Sequence, residues 1–302
     1  MEAGATTPVV AFIGLGVMGL PMVTNLHRSG TAVTGYDLSP AARNAAGERG
    51  IPVADDLGAL LEQSDVVVTM LPNTPHVESV VHGADGVLAR SAPGTLMVDM
   101  SSISPQGTLA IHSALQERQI RFVDAPVSGG VKGAVAGTLS VMAGGDADSV
   151  ERARAILQPM SSRITHMGPV GTGQATKVCN QVAVAINIQA VCEAFTLGRA
   201  LGVDLGRLRE AMMGGATASW VLDNLGPQML AGDDSAGFRI VLQVKDLRLA
   251  LDAAADAGAP LPAASGVLNM YLEAVAHGEG GNGNQALSRV YERLANRDIA
   301  RP

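Results

Sequence analysis

The chain has 302 residues, 47% of them apolar and 16% charged, with a formal net charge of −7. That balance supplies a sizeable core and excludes a disordered chain, and the length suggests two domains at roughly 100–200 residues each. Nucleic acid is excluded as a partner, because its binders present basic surface to displace counterions.

In chain order, "MEAGATTPVVAF" opens the sequence without a basic n-region, which makes a signal peptide a poor reading of the apolar run that follows. No later window reaches about 18 uninterrupted apolar residues, so no membrane partner is expected. Short apolar runs then recur at "PVVAFI", "TAVTGYD", "DVVVTML", "TLMVDM", "RFVDAPV" and "LSVMAGG". Between them lie helix starts at Ser39-Pro40, Thr74-Pro75 and Ser104-Pro105, each pairing a capping side chain with a proline in the first helical position. Strands alternating with helices imply βαβ units and a mostly parallel sheet.

After "ITHMGPVGTG" no strand-like run is expected. The sequence reads instead as a long helix over about 173–201, then "FRIVLQVKDLRLALDAAADAG" closed by Gly258, then "LPAASGVLNMYLEAVAHG". The expected architecture is α/β, with a dinucleotide-binding domain over 1–167 and an all-helical domain over 168–302, joined by the long helix. "QVAVAINIQAVCEAF" is apolar on most sides, so it is either a dimer surface or a central core helix. Cys179 and Cys192 fall on this helix about 20 Å apart, beyond the roughly 7 Å that a disulfide spans. Both read as buried thiols of a reducing compartment, the cytoplasm.

Gly14, Gly16 and Gly19 form G-x-G-x-x-G directly after the first strand. The first permits a tight turn, the second lets the backbone approach a pyrophosphate, and the third lets helix and strand pack closely. The helix start then offers free N–H groups to the anion. Asp37 ends the second strand about 20 residues on, where a carboxylate accepts from the adenosine ribose and repels a 2′-phosphate. NAD is favoured over NADP, and no arginine directly follows Asp37. The loops "MLPNT" and "DMSSISP" both follow strands and both emerge at the edge where ligands sit. Asn73, Ser101 and Ser102 there are either cofactor contacts or plain caps and turns.

"DAPVSGG" follows another strand, and its glycines leave N–H groups unshielded for a small anion; a plain turn is the alternative. In "GTGQATKVCNQ", Lys177 and Asn180 share a helix face. No acid lies between Gly168 and Ala190 to pair with that lysine. Facing a cleft, its pKa would fall toward neutrality, as proton transfer to a carbonyl oxygen needs; on the surface it would merely snorkel. Lys245 raises the same choice, and Asp246 beside it points about 100° away on a helix. The six histidines show no metal-ligand spacing, so no metal is expected.

"FIGLGVMGLPM", "DAPVSGGVKGAVAGTLSVMAGG", "GTGQATKVCNQ" and "QVKDLRLAL" together resemble the signature regions of the β-hydroxyacid dehydrogenases, the 3-hydroxyisobutyrate dehydrogenase family. "VDMSSISP", "AMMGGATAS" and "ERLANRDIA" look most like its tartronate semialdehyde reductase branch. The resemblance implies a Rossmann domain followed by an all-α domain through which the chain forms a homodimer or homotetramer. It implies an oxidoreductase moving hydride between NAD and a short 3-hydroxy acid or semialdehyde. It makes Lys177 the catalytic acid/base, and it places Ser128, Gly129, Gly130 and Asn180 on the substrate. Lys245, with Phe238 upstream, would lie near substrate and nicotinamide. Gly14, Leu15, Gly16, Val17, Met18, Gly19, Asp37, Leu71, Pro72, Asn73 and Ser102 would hold the cofactor. Two departures stand out: Asn180-Gln181 where the family often shows Asn-Asn, and "GNGNQALSRV" (281–290) where an acidic element is usual. Alternatives within the fold are 3-hydroxyisobutyrate dehydrogenase and a glyoxylate or succinic semialdehyde reductase. Lys177 weighs against an imine reductase. A non-catalytic dinucleotide-binding protein would lose the lysine, the asparagine or the SGG loop, and all are present.

Overall fold

The computed structural model describes residues 8–300; the reading of the leader rests partly on Met1–Thr7, outside the described residues. Contacts divide the chain into two compact units between Lys177 and Val178.

The first unit is built on one sheet of eight strands: β1 (Val10–Ile13), β2 (Val33–Tyr36), β3 (Val66–Thr69), β4 (Leu96–Asp99), β5 (Arg121–Asp124), β6 (Val127–Ser128), β7 (Leu139–Gly144) and β8 (Ser161–Gly168). Their order is β2-β1-β3-β4-β5-β7-β6, with β8 also on β7. The first five strands pair in parallel; β7 runs antiparallel to β5 and β6. Strand order reverses at β1, so the loops after β1 and β3 flank a topological switch point, where open α/β sheets bind ligands.

Side chains alternate across this sheet because the strand period is two. Val10, Phe12, Val68, Val98 and Val123 pack on one face with Met22 and Leu26 of the helix Gly19–Arg28. Ala11, Ile13, Val67, Met97 and Phe122 pack on the other with Val77, Ile111 and Leu115 from the helices Thr74–His82 and Pro105–Glu117. Both faces are thus covered, which is why the parallel strands read as unbroken apolar runs. Each fully buried large side chain contributes roughly 1.5–3 kcal/mol.

Two strands differ from the sequence reading. The run "RFVDAPV" is split, because Pro126 has no N–H to continue a ladder, and β6 starts at Val127. β8 was not expected: most of its side chains are exposed, so no apolar alternation marks it.

The second unit is all-helical. The linking helix Thr172–Ala200 enters it from the first unit, and the helices Leu205–Met213, Ile240–Ala257, Pro262–Ala276 and Ser288–Ala295 follow, with shorter turns between. Gly258 closes its helix in the left-handed conformation at φ +65°, as its place after the apolar repeat predicts. Ala185, Ile188, Cys192 and Phe195 recur three and four residues apart and form one buried stripe against Leu222, Leu247, Val267 and Tyr271. By length and composition this helix alone, among the described residues, is apolar enough to cross a membrane. The two thiols are free; Cys192 is buried, but Cys179 is exposed, which corrects the expectation that both are core residues.

Candidate functional site

The glycine cradle follows directly from β1. Gly14 sits at φ +100°, a conformation that side chains resist, and a methyl there would overlap the Met70 carbonyl at the end of β3. A methyl on Gly19 would overlap the Gly14 carbonyl, whereas one on Gly16 would meet nothing within 4 Å. The turn is therefore crowded at its base and open above Gly16. That opening joins a cavity of about 430 Å³ lined by Leu15, Gly16, Val17, Arg49, Val131 and Val135. No side chain caps the helix Gly19–Arg28, which begins after Met18. Leu20 donates to the Gly16 carbonyl, Met22 to the Met18 carbonyl, and Pro21 has no N–H, so it is the turn Gly16–Gly19 ahead of them that is left to face an anion. These residues fit a dinucleotide diphosphate.

Asp37 is wired to the cradle. Its Oδ2 accepts the Leu15 N–H at 2.8 Å and its Oδ1 the Ser39 N–H at 2.8 Å. No arginine follows it in sequence, but Arg43 turns back and donates to the Asp37 carbonyl at 2.7 Å. That guanidinium also lies 3.4 Å from Asp55.

The next two loops are joined by Ser101. Buried, it accepts the Leu71 N–H at 2.9 Å, so it fixes the Leu71-Pro72 turn instead of reaching toward a ribose. Asn73 is the cap of the helix Thr74–His82, accepting the His76 N–H at 3.4 Å and lying against the His76 ring. The expected cap, Thr74, is the first helical residue; its hydroxyl accepts the Ser104 N–H at 3.0 Å. Ser102 is half-buried beside the Ser101 tie.

Ser128 ends β6, and Gly129 and Gly130 follow at φ +132° and +59°. Two successive residues in that region make a backbone turn that glycine takes at least cost. It leads into the helix Gly130–Ala136, whose Val131 and Val135 line the cavity beside Gly16.

Behind this loop lies a buried polar cluster that the sequence reading left out. Asp99 and Asp124 are fully buried at the paired ends of β4 and β5. Asp99 accepts the Thr69 hydroxyl at 2.7 Å and the Ser101 N–H at 3.1 Å. Asp124 accepts the N–H groups of Gly171 and Gln174 at 2.8 Å each, at the start of the linking helix. Burial pushes the Asp124 carboxyl up to about 7, with Asp99 adding to the rise and the two N–H donors opposing it. The Gln174 side chain donates to the Ser101 carbonyl at 2.7 Å and accepts the Ile103 N–H at 3.1 Å. Lys177, one turn further along the same helix, is only 6% exposed.

In the second unit, Asn180 and Lys245 are joined by two residues. Asn180 donates to Gln181 Oε1 at 2.9 Å, and Gln181 donates to Asp246 Oδ2 at 2.6 Å. The Lys245 ammonium lies 2.9 Å from Asp246 Oδ1. The expectation that Lys245 and Asp246 point apart fails, because a flexible four-carbon stem curls back over a neighbour. The contact is coulombic, since that oxygen makes no well-aligned hydrogen bond. Asn284 donates to Gln243 at 3.3 Å and, through its own N–H, to the Phe238 carbonyl at 2.8 Å. The acid-free segment 281–290 is thus held by its amides and by Arg289, which lies 2.7 Å from Asp234. Asp124, Gln174 and Asp246 were missed as site residues; their only signal was adjacency to the SGG loop and to the two lysines.

Both units have counterparts among known proteins. Residues 9–168 match the NAD binding domain of 6-phosphogluconate dehydrogenase, and residues 171–291 match the family described as NAD-binding of NADP-dependent 3-hydroxyisobutyrate dehydrogenase. The NAD-dependent L-serine dehydrogenase of Pseudomonas aeruginosa is 40% identical over 87% of this chain and 90% of its own. The 2-hydroxy-3-oxopropionate reductase of Escherichia coli is 38% identical over 96% and 99%. The structure of Mycobacterium tuberculosis 3-hydroxyisobutyrate dehydrogenase with L-serine superposes with a TM-score of 0.88 at 36% identity, covering 96% of this chain and 99% of that one.

Proposed function

Because the chain belongs to the 3-hydroxyisobutyrate dehydrogenase family of NAD-dependent hydroxyacid dehydrogenases, we propose that it interconverts tartronate semialdehyde and D-glycerate. The observation that carries this reading is Lys177, a buried lysine on a helix start tied to the cofactor-side loops. The Escherichia coli reductase, matched over nearly the full length of both chains, supports the substrate pair.

When bound, NAD takes up or supplies the hydride. Gly14 to Gly19 hold its diphosphate, with Leu15, Val17 and Met18 in the turn. Asp37 accepts from its ribose and disfavours a 2′-phosphate. Leu71, Pro72, Asn73 and Ser102 would line it, and Phe238 and Lys245 are the candidates from the helical unit for contact with its nicotinamide end. Ser128, Gly129 and Gly130 bind the substrate carboxylate through backbone N–H groups and the serine hydroxyl. Asn180 holds the reacting oxygen. In reduction the Lys177 ammonium passes a proton to the aldehyde oxygen as C3 receives the hydride; in oxidation the neutral amine takes it back.

A second reading, oxidation of L-serine at its 3-hydroxyl, is favoured by the 40% identity to the Pseudomonas enzyme. A cytoplasmic homodimer or homotetramer, assembled through the helical unit, completes the proposal.

A substrate panel followed by NADH absorbance tests it, with tartronate semialdehyde, glyoxylate and succinic semialdehyde in one direction and D-glycerate, 3-hydroxyisobutyrate and L-serine in the other. The highest kcat/KM is expected for tartronate semialdehyde with NADH. A higher value for L-serine would establish the second reading, and activity confined to NADPH would contradict the role of Asp37.

A further inference from the structure

The start of the linking helix is held from outside the helix. Its first turn carries N–H groups with no intrahelical acceptor, and most helices satisfy them with a local Ser, Thr, Asn or Asp. Here the acceptor comes from the end of β5, 47 and 50 residues earlier, where the two oxygens of Asp124 take the N–H groups of Gly171 and Gln174. The corner is packed without slack. A methyl on Gly144 would come within 2.5 Å of Asp124 Oδ1, and one on Gly173 within 2.7 Å of Oδ2. Gln174 adds a second tie, to the Ser101 carbonyl and the Ile103 N–H. Lys177 follows Gln174 by three residues on this anchored turn. Asp124 also closes the strand that leads, four residues on, to Ser128.

We infer that Asp124 is the positioning residue for Lys177, setting the register of the linking helix against the strand that carries the Ser128–Gly130 loop. The inference rests on the reading of Lys177 as the acid/base. Asp124 is itself fully buried. It acts by fixing where the lysine stands, and a displacement of about 1 Å from productive geometry costs on the order of 100-fold in rate. A carboxyl suits the task better than an amide: both its sites are oxygens, with no NH2 to set against a backbone N–H, and once ionised it faces the positive end of the helix.

The test is Asp124→Asn, which keeps the shape but puts a donor where one N–H needs an acceptor. Expected are a kcat lowered by about 30-fold or more, a Kd for NADH within about twofold of wild type by fluorescence titration, and a cooperative thermal melt. The variant is then placed in a Lys177→Ala background. An effect transmitted through the lysine leaves the residual turnover of Lys177→Ala unchanged within about twofold. A kcat less than about tenfold below wild type, or a fall in the Lys177→Ala background as large as in the wild type, overturns the inference. If the asparagine variant does not melt cooperatively, Asp124→Ser, which retains one acceptor, is read by the same criteria. Near-normal turnover of Lys177→Ala alone would instead remove the premise, whatever Asp124→Asn does.

Discussion

Asp246 accepts a 2.6 Å hydrogen bond from Gln181 while its other oxygen lies 2.9 Å from the Lys245 ammonium. One buried carboxylate thereby orients two residues of the proposed site, Lys245 directly and Asn180 through Gln181. Asp246→Asn removes the counter-charge and leaves the shape. A hydrogen bond to a charged group contributes roughly 1.5–3 kcal/mol, so kcat/KM should fall by about 10- to 150-fold, with the fold retained by circular dichroism. Unchanged kinetics would show that neither Lys245 nor Asn180 depends on this carboxylate.

Asp37 has two tasks, and they separate by mutation. Asp37→Ser removes the charge that opposes a 2′-phosphate, with Arg43 already beside that corner. The ratio of kcat/KM for NADPH over NADH should rise by at least about tenfold, equivalent to roughly 1.4 kcal/mol. KM for NADH should rise as well, because the Leu15 N–H loses its acceptor. A fixed cofactor ratio in initial-rate assays would contradict the selectivity argument.

Gly14→Ala should abolish cofactor binding. Its backbone at φ +100° is strained for any side chain, and the methyl would overlap the Met70 carbonyl. Opening the switch point between β1 and β3 displaces the turn that faces the diphosphate. No NADH fluorescence enhancement is expected in the variant, and wild-type enhancement would refute the cradle assignment.

The Asp124 carboxyl gives a pH dependence whose sign follows from its environment. Burial raises it to about 7 in the folded chain, against about 3.9 for an unfolded aspartate. The folded state therefore holds the proton more tightly. The stability contributed by that proton is full below pH ~4 and is lost as pH rises through about 7, at no more than roughly 1.4 kcal/mol per pH unit. Asp124→Asn cannot titrate, so the melting temperature of the wild type relative to this variant should fall between about pH 5 and 7.5. A constant difference across that range would place the carboxyl outside it.

What was legible in the sequence follows the range of each interaction. Gly14, Gly16, Gly19 and Asp37 lie within one βαβ unit, so spacing alone brings them together. The apolar runs alternating with helix starts likewise forecast the mostly parallel sheet, and the long apolar segments after them the helical second unit. Asp124 and Gln174 escaped because their partners lie 47 to 73 residues away, and nothing local marks a strand-end aspartate as the cap of a distant helix. Lys245 and Asp246 were misjudged for the opposite reason. Their Cβ directions diverge as helix geometry requires, but the contact is made at the far end of a flexible stem. β8 went unseen because a mostly exposed strand carries no apolar alternation to read.

The central claim is that Lys177 moves the proton that accompanies hydride transfer. Lys177→Ala tests it most directly, with turnover of the best substrate and NADH affinity measured on the same preparation. A general acid contributes about 10²- to 10⁴-fold, so kcat should fall within or beyond that range while Kd for NADH stays within about twofold. A variant that turns over at near the wild-type rate would contradict the assignment of Lys177, and with it the proposed mechanism.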